Sequence, residues 1–294
     1  YILGLRVVTP DGSLLETGWY NDYRGFNLTD LMVASEGTLG IITEIAVRLI
    51  PRPENGMTFL AVFDNPAAAA QTVADIITAG IIPNVLEYID GYAAELANRY
   101  EKTEGIDYAA AVLLMETSDT KKEQQTAQID EICRKNDCTH IRQANNTARA
   151  ELLWRVRRNI SHAAKTFSRA KISEDIAVPI SQFPRLVAFI AELNRSSRLK
   201  INSYGHAGDG NLHVNLLSLD GSDEDLRAVE PTVALLLKKA LELGGTVTGE
   251  HGVGLAKREF LRLEFTPPTL SAMRKIKQVF DPLSLMNPQK LLPD

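Results

Sequence analysis

From residue 58 onward, strand-like and helix-like stretches take turns, and this alternation constrains the fold more than any single motif. Residues 58–63, 85–89 and 110–116 are short apolar runs rich in Val, Leu, Phe and Ile. Each is followed by a longer stretch with helical spacing, at 66–79, 92–100 and 120–135. That rhythm predicts β-α units. Two crossovers of this size with strands of mixed direction suit an α+β architecture, a ferredoxin-like sheet with helices on one face, although pattern alone leaves strand order open. A long helix is expected over 147–168 and an extended run over 171–178, stopped by Pro179. Beyond these come a helix over 182–196, strands within 201–217, a helix over 223–243, a glycine-dense loop to Gly254 and a last helix over 268–280. No internal repeat and no low-complexity tract is visible.

The first fifty residues read differently. Two β-rich runs flank Pro10-Asp11-Gly12, a hairpin signal with a turn mechanism, and a short helix over 28–34 and a strand over 40–50 follow. Prolines cannot continue a ladder, so the Pro/Gly-rich stretch 51–56 is the expected domain boundary, giving domains 1–50 and 51–294. A length of 294 residues also favours two domains over one. With 45% hydrophobic and 23% charged residues the chain is not disordered. A net charge of −5 lacks the basic field that nucleic-acid binding requires, so no nucleic-acid partner is expected. Cys133 and Cys138 have no companion ligands for a zinc site and are read as reduced thiols. No run approaches the roughly 18 apolar residues of a membrane helix and no secretion signal opens the chain, which makes cytoplasmic the default. Because the first residue is Tyr1 rather than Met, an upstream continuation is expected.

Chemistry concentrates in four clusters. In Tyr204-Gly-His206-Ala-Gly-Asp-Gly-Asn-Leu-His213-Val-Asn215, a two-residue turn at Asp209-Gly210 sets His206 opposite His213. Opposed β-carbons lie about 4.5–5.5 Å apart, close enough for both rings to ligate one metal ion, and Asn215 shares their face. The bland reading is a surface hairpin, which two of only five histidines on one matched pair disfavours. Gly244 to Gly254 holds five glycines in eleven residues around Glu250 and His251. A carboxylate there completes a two-His, one-carboxylate metal set, and the adjacent His acts as a base; a solvated pair in a flexible connection explains the segment equally well. Arg155, Arg157 and Arg158 offer a carboxylate-binding fork, but taken alone a charged helix face accounts for them. Ser35 to Thr43 is a glycine turn of the kind that exposes N–H groups to a nucleotide, and also simply a tight turn. His140 and His162 are read as structural or exposed.

Taken together and in this order, the clusters resemble the FAD-linked oxidase family of the vanillyl-alcohol-oxidase superfamily. The branch is that of D-lactate dehydrogenases, D-2-hydroxyglutarate dehydrogenases and the FAD subunit of glycolate oxidase. The matching segments are Asp30 to Thr43, Gly205 to His213, Gly249-Glu-His-Gly252 and Asn287-Pro-Gln-Lys290. The resemblance implies the end of a PCMH-type FAD-binding domain, then a substrate or cap domain and a C-terminal helical segment. It implies metal ligands His206, His213 and Glu250 for zinc or manganese, the base His251, and substrate contacts Arg157, Ser161 and Asn215. Flavin contacts map to Glu36, Gly37, Gly40, Ile42 and Asn287. Two lysines of relatives are displaced: Ser173 stands two before Asp175, with Lys171 four before it, and Asn21 stands ahead of Gly25-Phe-Asn27.

The implied activity is FAD- and metal-dependent oxidation of a small D-2-hydroxy acid, D-lactate or glycolate, to the 2-oxo acid. Electrons then pass to an iron–sulfur subunit, an electron-transfer flavoprotein or a quinone, with peripheral membrane attachment through such a partner. Two alternatives stand beside it: a D-2-hydroxyglutarate dehydrogenase, and a flavin-free accessory subunit or cap domain. The displaced lysine is the argument for a monocarboxylic substrate, since a buried second carboxylate without a cation is costly.

Overall fold

The computed structural model of the protein describes residues 1–20, 25–51, 56–102, 106, 109–117 and 122–294. Asn21, the interior of the expected boundary at 52–55 and the expected helix start at Thr120 fall outside the described residues. The chain forms two compact units, Tyr1–Arg52 with Glu250–Asp294, and Pro53–Gly249.

In the first unit, β1 (Ile2–Val8) is the centre of a three-stranded antiparallel sheet between β2 (Leu14–Gly18) and β3 (Ile41–Val47). Leu5 and Val7 of β1 pack with Met32 of α1 (Leu28–Met32) and with Leu39. Phe280, the last residue of the C-terminal helix Pro267–Phe280, joins the same core. The compact unit thus takes in residues beyond 250, while the domain expected from the sequence runs over 51–294. Their apolar partner lies on β1, a long-range pairing that local pattern does not carry.

In the second unit a seven-stranded antiparallel sheet runs β7-β4-β6-β5-β9-β10-β8. The strands are β4 (Thr58–Phe63), β5 (Val85–Asp90), β6 (Ala111–Glu116), β7 (Cys138–Gln143), β8 (Ala170–Ala177), β9 (Lys200–Gly205) and β10 (Asn211–Ser218). The helices are α2 (Pro66–Thr78), α3 (Gly91–Tyr100), α4 (Lys122–Lys135), α5 (Thr147–Thr166), α6 (Phe183–Ser196) and α7 (Asp223–Glu242). The order β7-β4-β6-β5 is fourth, first, third, second, the ferredoxin-like order. The strands β9-β10-β8 repeat it as second, third, first, and Thr246 beyond α7 bridges Ala177 of β8 where a fourth strand would stand. The duplication is structural and leaves no trace as a sequence repeat.

Helices cover both faces of this sheet, which corrects the expectation of one. Leu60, Val62, Ile89, Val112 and Leu114 form one core with Ala93, Ala94 and Ala97 of α3 and Leu153, Val156 and Ile160 of α5. The alternate residues Phe59, Ala61 and Phe63 are buried too, and Tyr88 meets Phe183 of α6 edge-on at 5.7 Å. Burial on both faces is why β4 reads as an unbroken apolar run instead of alternating. Among the described residues, no helix is long and apolar enough to cross a membrane.

Candidate functional site

Strand parity assembles the site. Pairing of Glu87 with Leu114, Tyr204 with His213, His213 with Asp175, and Asn215 with both Asn202 and Ser173 puts all these side chains on the face that α5 covers. Helical spacing adds two more: α5 buries Leu153, Val156, Ile160 and Ala164, and Arg157 and Ser161 flank that stripe four residues apart.

The histidine hairpin is not the two-residue turn expected from Asp209-Gly210. Residues 207–209 form a turn of 3-10 helix and Gly210 takes a left-handed φ of +73°, where a Cβ would lie 2.0 Å from the Val178 carbonyl. The extra turn moves the register by two residues, so His213 faces Tyr204 and not His206. Side-chain parity has a period of two, which keeps the outcome. The His206 and His213 rings stand 5.4 Å apart at 87°, and a ring nitrogen of each lies within 4.8 Å of the other.

Each imidazole has a carboxylate behind its Nδ1. Glu87, 5% exposed, accepts from His206 Nδ1 with Oε1 and from Arg157 Nε with Oε2. Burial alone would raise its carboxyl, but the bonds from His206 and Arg157 outweigh that and hold it below its ordinary range. Asp175, fully buried, lies 3.4 Å from His213 Nδ1 through Oδ1. Asp175 accepts hydrogen bonds from Asn211 Nδ2 at 2.7 Å, from Thr248 Oγ1 at 3.3 Å and, through its carbonyl, from Gly249 N–H at 3.3 Å. A carboxylate bonded to a ring nitrogen, as Glu87 is to His206, orients a histidine for metal binding, and two imidazoles with neighbouring carboxylates are donors that fit a divalent ion such as zinc or manganese.

Asn215, completely buried, accepts from Ser173 Oγ at 2.7 Å and donates to Asn202 Oδ1 at 2.7 Å. The Arg157 guanidinium lies 4.7 Å from the Tyr204 ring centroid. Arg155 and Arg158 instead pair with Glu101 and Glu151 at the surface, so one of the three arginines turns to the sheet. A cavity of about 440 Å³ opens beside Glu87, Arg157 and His206, with Trp154, Ile82 and Leu86 among its walls. Lys171, doubted from sequence, stands on the same face as Ser173 because the two are two residues apart. Its Nζ donates to Ser161 Oγ at 2.9 Å, and burial, with repulsion from Lys165, lowers its pKa.

Glu250 and His251 belong to the first unit, immediately after Gly249; their side chains are half-exposed and 3.9 Å apart. In that unit the expected flavin contacts divide. Glu36 accepts from the N–H groups of Val253 at 2.6 Å and Gly254 at 2.8 Å, and its carbonyl accepts from Asn287 Nδ2. Gly37, at φ +67°, leaves the space that Asn287 uses: a Cβ would lie 2.8 Å from its Nδ2. Gly40 admits Val7 of β1, and Ile42 is exposed on β3. The space at Gly37 is thus filled by Asn287, and the Glu36 carboxylate is taken by backbone N–H groups. His140 and His162 are exposed, and Cys133 and Cys138 are free, the former pushed up to about 12 by burial. The residues that sequence reading missed are Glu87, Asp175, Asn202 and Tyr204. The available signal was Glu87 inside the apolar run Val85–Ile89.

Residues 52–291 match the family described as FAD linked oxidases, C-terminal domain. The chain is 39% identical over 295 residues to glycolate oxidase subunit GlcD of Bacillus subtilis (strain 168), covering 99% of this chain and 63% of that protein. It is 34% identical over 302 residues to a probable mitochondrial D-lactate dehydrogenase of Danio rerio, covering 99% and 60%. The chain thus spans about three fifths of the length of these relatives. A solved structure of p-cresol methylhydroxylase with substrate bound superposes with a TM-score of 0.76 at 12% identity, covering 100% of this chain and 65% of that one, a likeness of fold.

Proposed function

The chain belongs to the FAD-linked oxidases through their C-terminal domain, and from that membership we propose that it is the substrate-binding part of a flavoenzyme that oxidises a small 2-hydroxy acid. The observation that carries the reading is the pair of imidazoles at 5.4 Å, each backed by a carboxylate. His206, His213 and Glu250 are the residues assigned to hold a divalent metal; Glu250 enters on the family resemblance and on its place next to Gly249. When bound, the metal supplies a Lewis acid that lowers the substrate hydroxyl pKa, and the flavin supplies the acceptor for a hydride. Arg157 holds the substrate carboxylate with its terminal nitrogens while Asn215 and Ser161 orient it. His251 takes the hydroxyl proton. Glu36, Gly37, Gly40, Ile42 and Asn287 are assigned to the flavin side. The electron acceptor is an iron–sulfur subunit, an electron-transfer flavoprotein or a quinone, and the relative named a glycolate oxidase subunit supports a multi-subunit setting.

D-lactate and glycolate are the proposed substrates, supported by the names of the relatives. Lys171 favours a second reading. With Nζ at Ser161, it is a cation able to meet a distal carboxylate, and the substrate is then D-2-hydroxyglutarate. Turnover of the full-length protein with a dye acceptor on the three acids decides between them. A tenfold preference, about 1.4 kcal/mol in transition-state binding, selects the reading. Two further outcomes are expected. Elemental analysis should find about one divalent ion per chain, lost in His206→Ala and His213→Ala. His251→Asn should lower turnover by about 10²–10⁴ while metal and flavin stay bound. Retained metal in both histidine variants would sink the metal reading.

A further inference from the structure

Glu87 is costly where it stands. It sits in β5 between Leu86 and Tyr88, opposite Leu114, 5% exposed, and an unpaired carboxylate there would be strongly destabilising. A hydrophobic side chain would satisfy the packing alone. Instead both oxygens are engaged by site residues from other elements: His206, 119 positions away in sequence and just beyond β9, and Arg157, 70 positions away on α5. A carboxylate oxygen accepts, so the Glu87–His206 contact favours the tautomer with the proton on Nδ1, in which Nε2 carries the ligating lone pair. On Arg157 the same carboxylate occupies Nε. The two terminal nitrogens make no hydrogen bond among the described residues, and the Tyr204 ring lies 4.7 Å from the guanidinium carbon. The fork is held from its edge and its face, and its outer side remains for a ligand carboxylate.

In a 2-hydroxy acid the hydroxyl and carboxylate sit on adjacent carbons, so a site that grips both needs its metal ligand and its arginine at fixed spacing. We propose that Glu87 is a positioning residue that sets this spacing, one oxygen fixing the tautomer of His206 and the other the guanidinium plane of Arg157. The inference rests on the reading of His206 as a metal ligand and Arg157 as the carboxylate anchor.

The test uses the 294-residue chain. Zinc affinity, measured by competition with a chromophoric chelator, is compared among wild type, Glu87→Gln, Arg157→Lys and His206→Ala. Glu87→Gln is expected to weaken zinc binding about 10–100-fold, Arg157→Lys to leave it unchanged and His206→Ala to abolish it. Long-range ¹H–¹⁵N spectra are expected to show the Nδ1–H tautomer at His206 in wild type and its loss in Glu87→Gln. A merely structural role would not move the tautomer. Calorimetry with glycolate on the zinc-loaded chain completes the cycle: Glu87→Gln and Arg157→Lys each weaken binding, and the double variant is no worse than the poorer single. A folded Glu87→Gln with unchanged zinc affinity and an unchanged His206 tautomer overturns the proposal. If wild type takes up no zinc, the functional reading fails, while the tautomer comparison still decides whether Glu87 fixes His206. Should Glu87→Gln fail to fold, Glu87→Asp, which withdraws the carboxylate by one methylene, is read by the same two measurements.

Discussion

The two halves of the seven-stranded sheet share a strand order and differ in what they bury. In the β4–β7 half, the face toward α3 and α5 carries Leu60, Val62, Val112 and Leu114 as an apolar layer, with Glu116 at its end accepting from Thr58 Oγ1 at 3.0 Å and from Trp154 Nε1 of α5 at 2.7 Å. In the β8–β10 half the same face carries Asp175, Asn202, His213 and Asn215, all buried, and the exposed Ser173; side-chain hydrogen bonds link Ser173 through Asn215 to Asn202, and Asn211 to Asp175. One topology therefore serves as a rigid wall in one half and as a polar network in the other. Glu87 crosses over between the halves, a carboxylate on β5 whose partners are His206 and Arg157. Fold and chemistry are separable: the wall rests on hydrophobic burial, while the polar half holds hydrogen-bonded side chains and leaves the buried Asn202 Nδ2 and Asn211 Oδ1 without a hydrogen-bond partner among the described residues.

That contrast can be broken by substitution. Phe59→Ala, in the apolar half, should cost about 3–5 kcal/mol in denaturant unfolding while zinc affinity at the histidine pair stays unchanged. A fall in zinc affinity would mean that the halves are not separable. The next effect lies at the seam. Asp90 of β5 caps α3 through Ala93 N–H at 2.7 Å and accepts from Ser203 of β9, by its backbone N–H and by Oγ at 2.9 Å. Burial pushes its carboxyl up to about 6, against the pull of those bonds. The folded-state value is raised, so its contribution to stability is present in full below the unfolded value near 3.8 and is lost as pH rises through about 6. Between these limits wild type should lose about 3 kcal/mol relative to Asp90→Asn. Parallel pH profiles of the two proteins would remove the seam from the argument.

Smaller effects are expected inside the network. Asn215→Ala leaves Ser173 and Asn202 without their partner and should cost about 1–3 kcal/mol of stability, with a larger loss in kcat/KM of the full-length enzyme than in Tm. An equal-sized structural loss with unchanged kinetics would demote Asn215 to packing. At the far end of the scale, Arg134→Ala removes an exposed pair with Asp130 and should change stability by less than about 0.5 kcal/mol.

Much of this was legible along the chain. The β-α rhythm, the strand positions of Thr58–Phe63 and Asn211–Ser218, and the histidines on one face follow from local period, which a register shift of two does not disturb. The wrong turn type at 207–210 shows the limit: Asp-Gly favours a two-residue hairpin, but Gly210 has to pass the Val178 carbonyl, a neighbour supplied by the end of β8. Lys171 stands on the same face as Ser173 for a related reason, since displacement by two positions along a strand keeps a side chain on its face.

By itself the sequence determined which side chains share a face, because periods of 2 and 3.6 are properties of the backbone and need no partner. It also determined the residue types able to bind a metal and a carboxylate. Tertiary structure alone decided that helices cover both sheet faces, that β5 joins β9, and that the segment after Gly249 packs with the first fifty residues. It alone brought Glu87 between His206 and Arg157. These are contacts across tens to more than two hundred residues, and the free energy that selects them comes from burial and hydrogen bonding between segments with no local signature of one another.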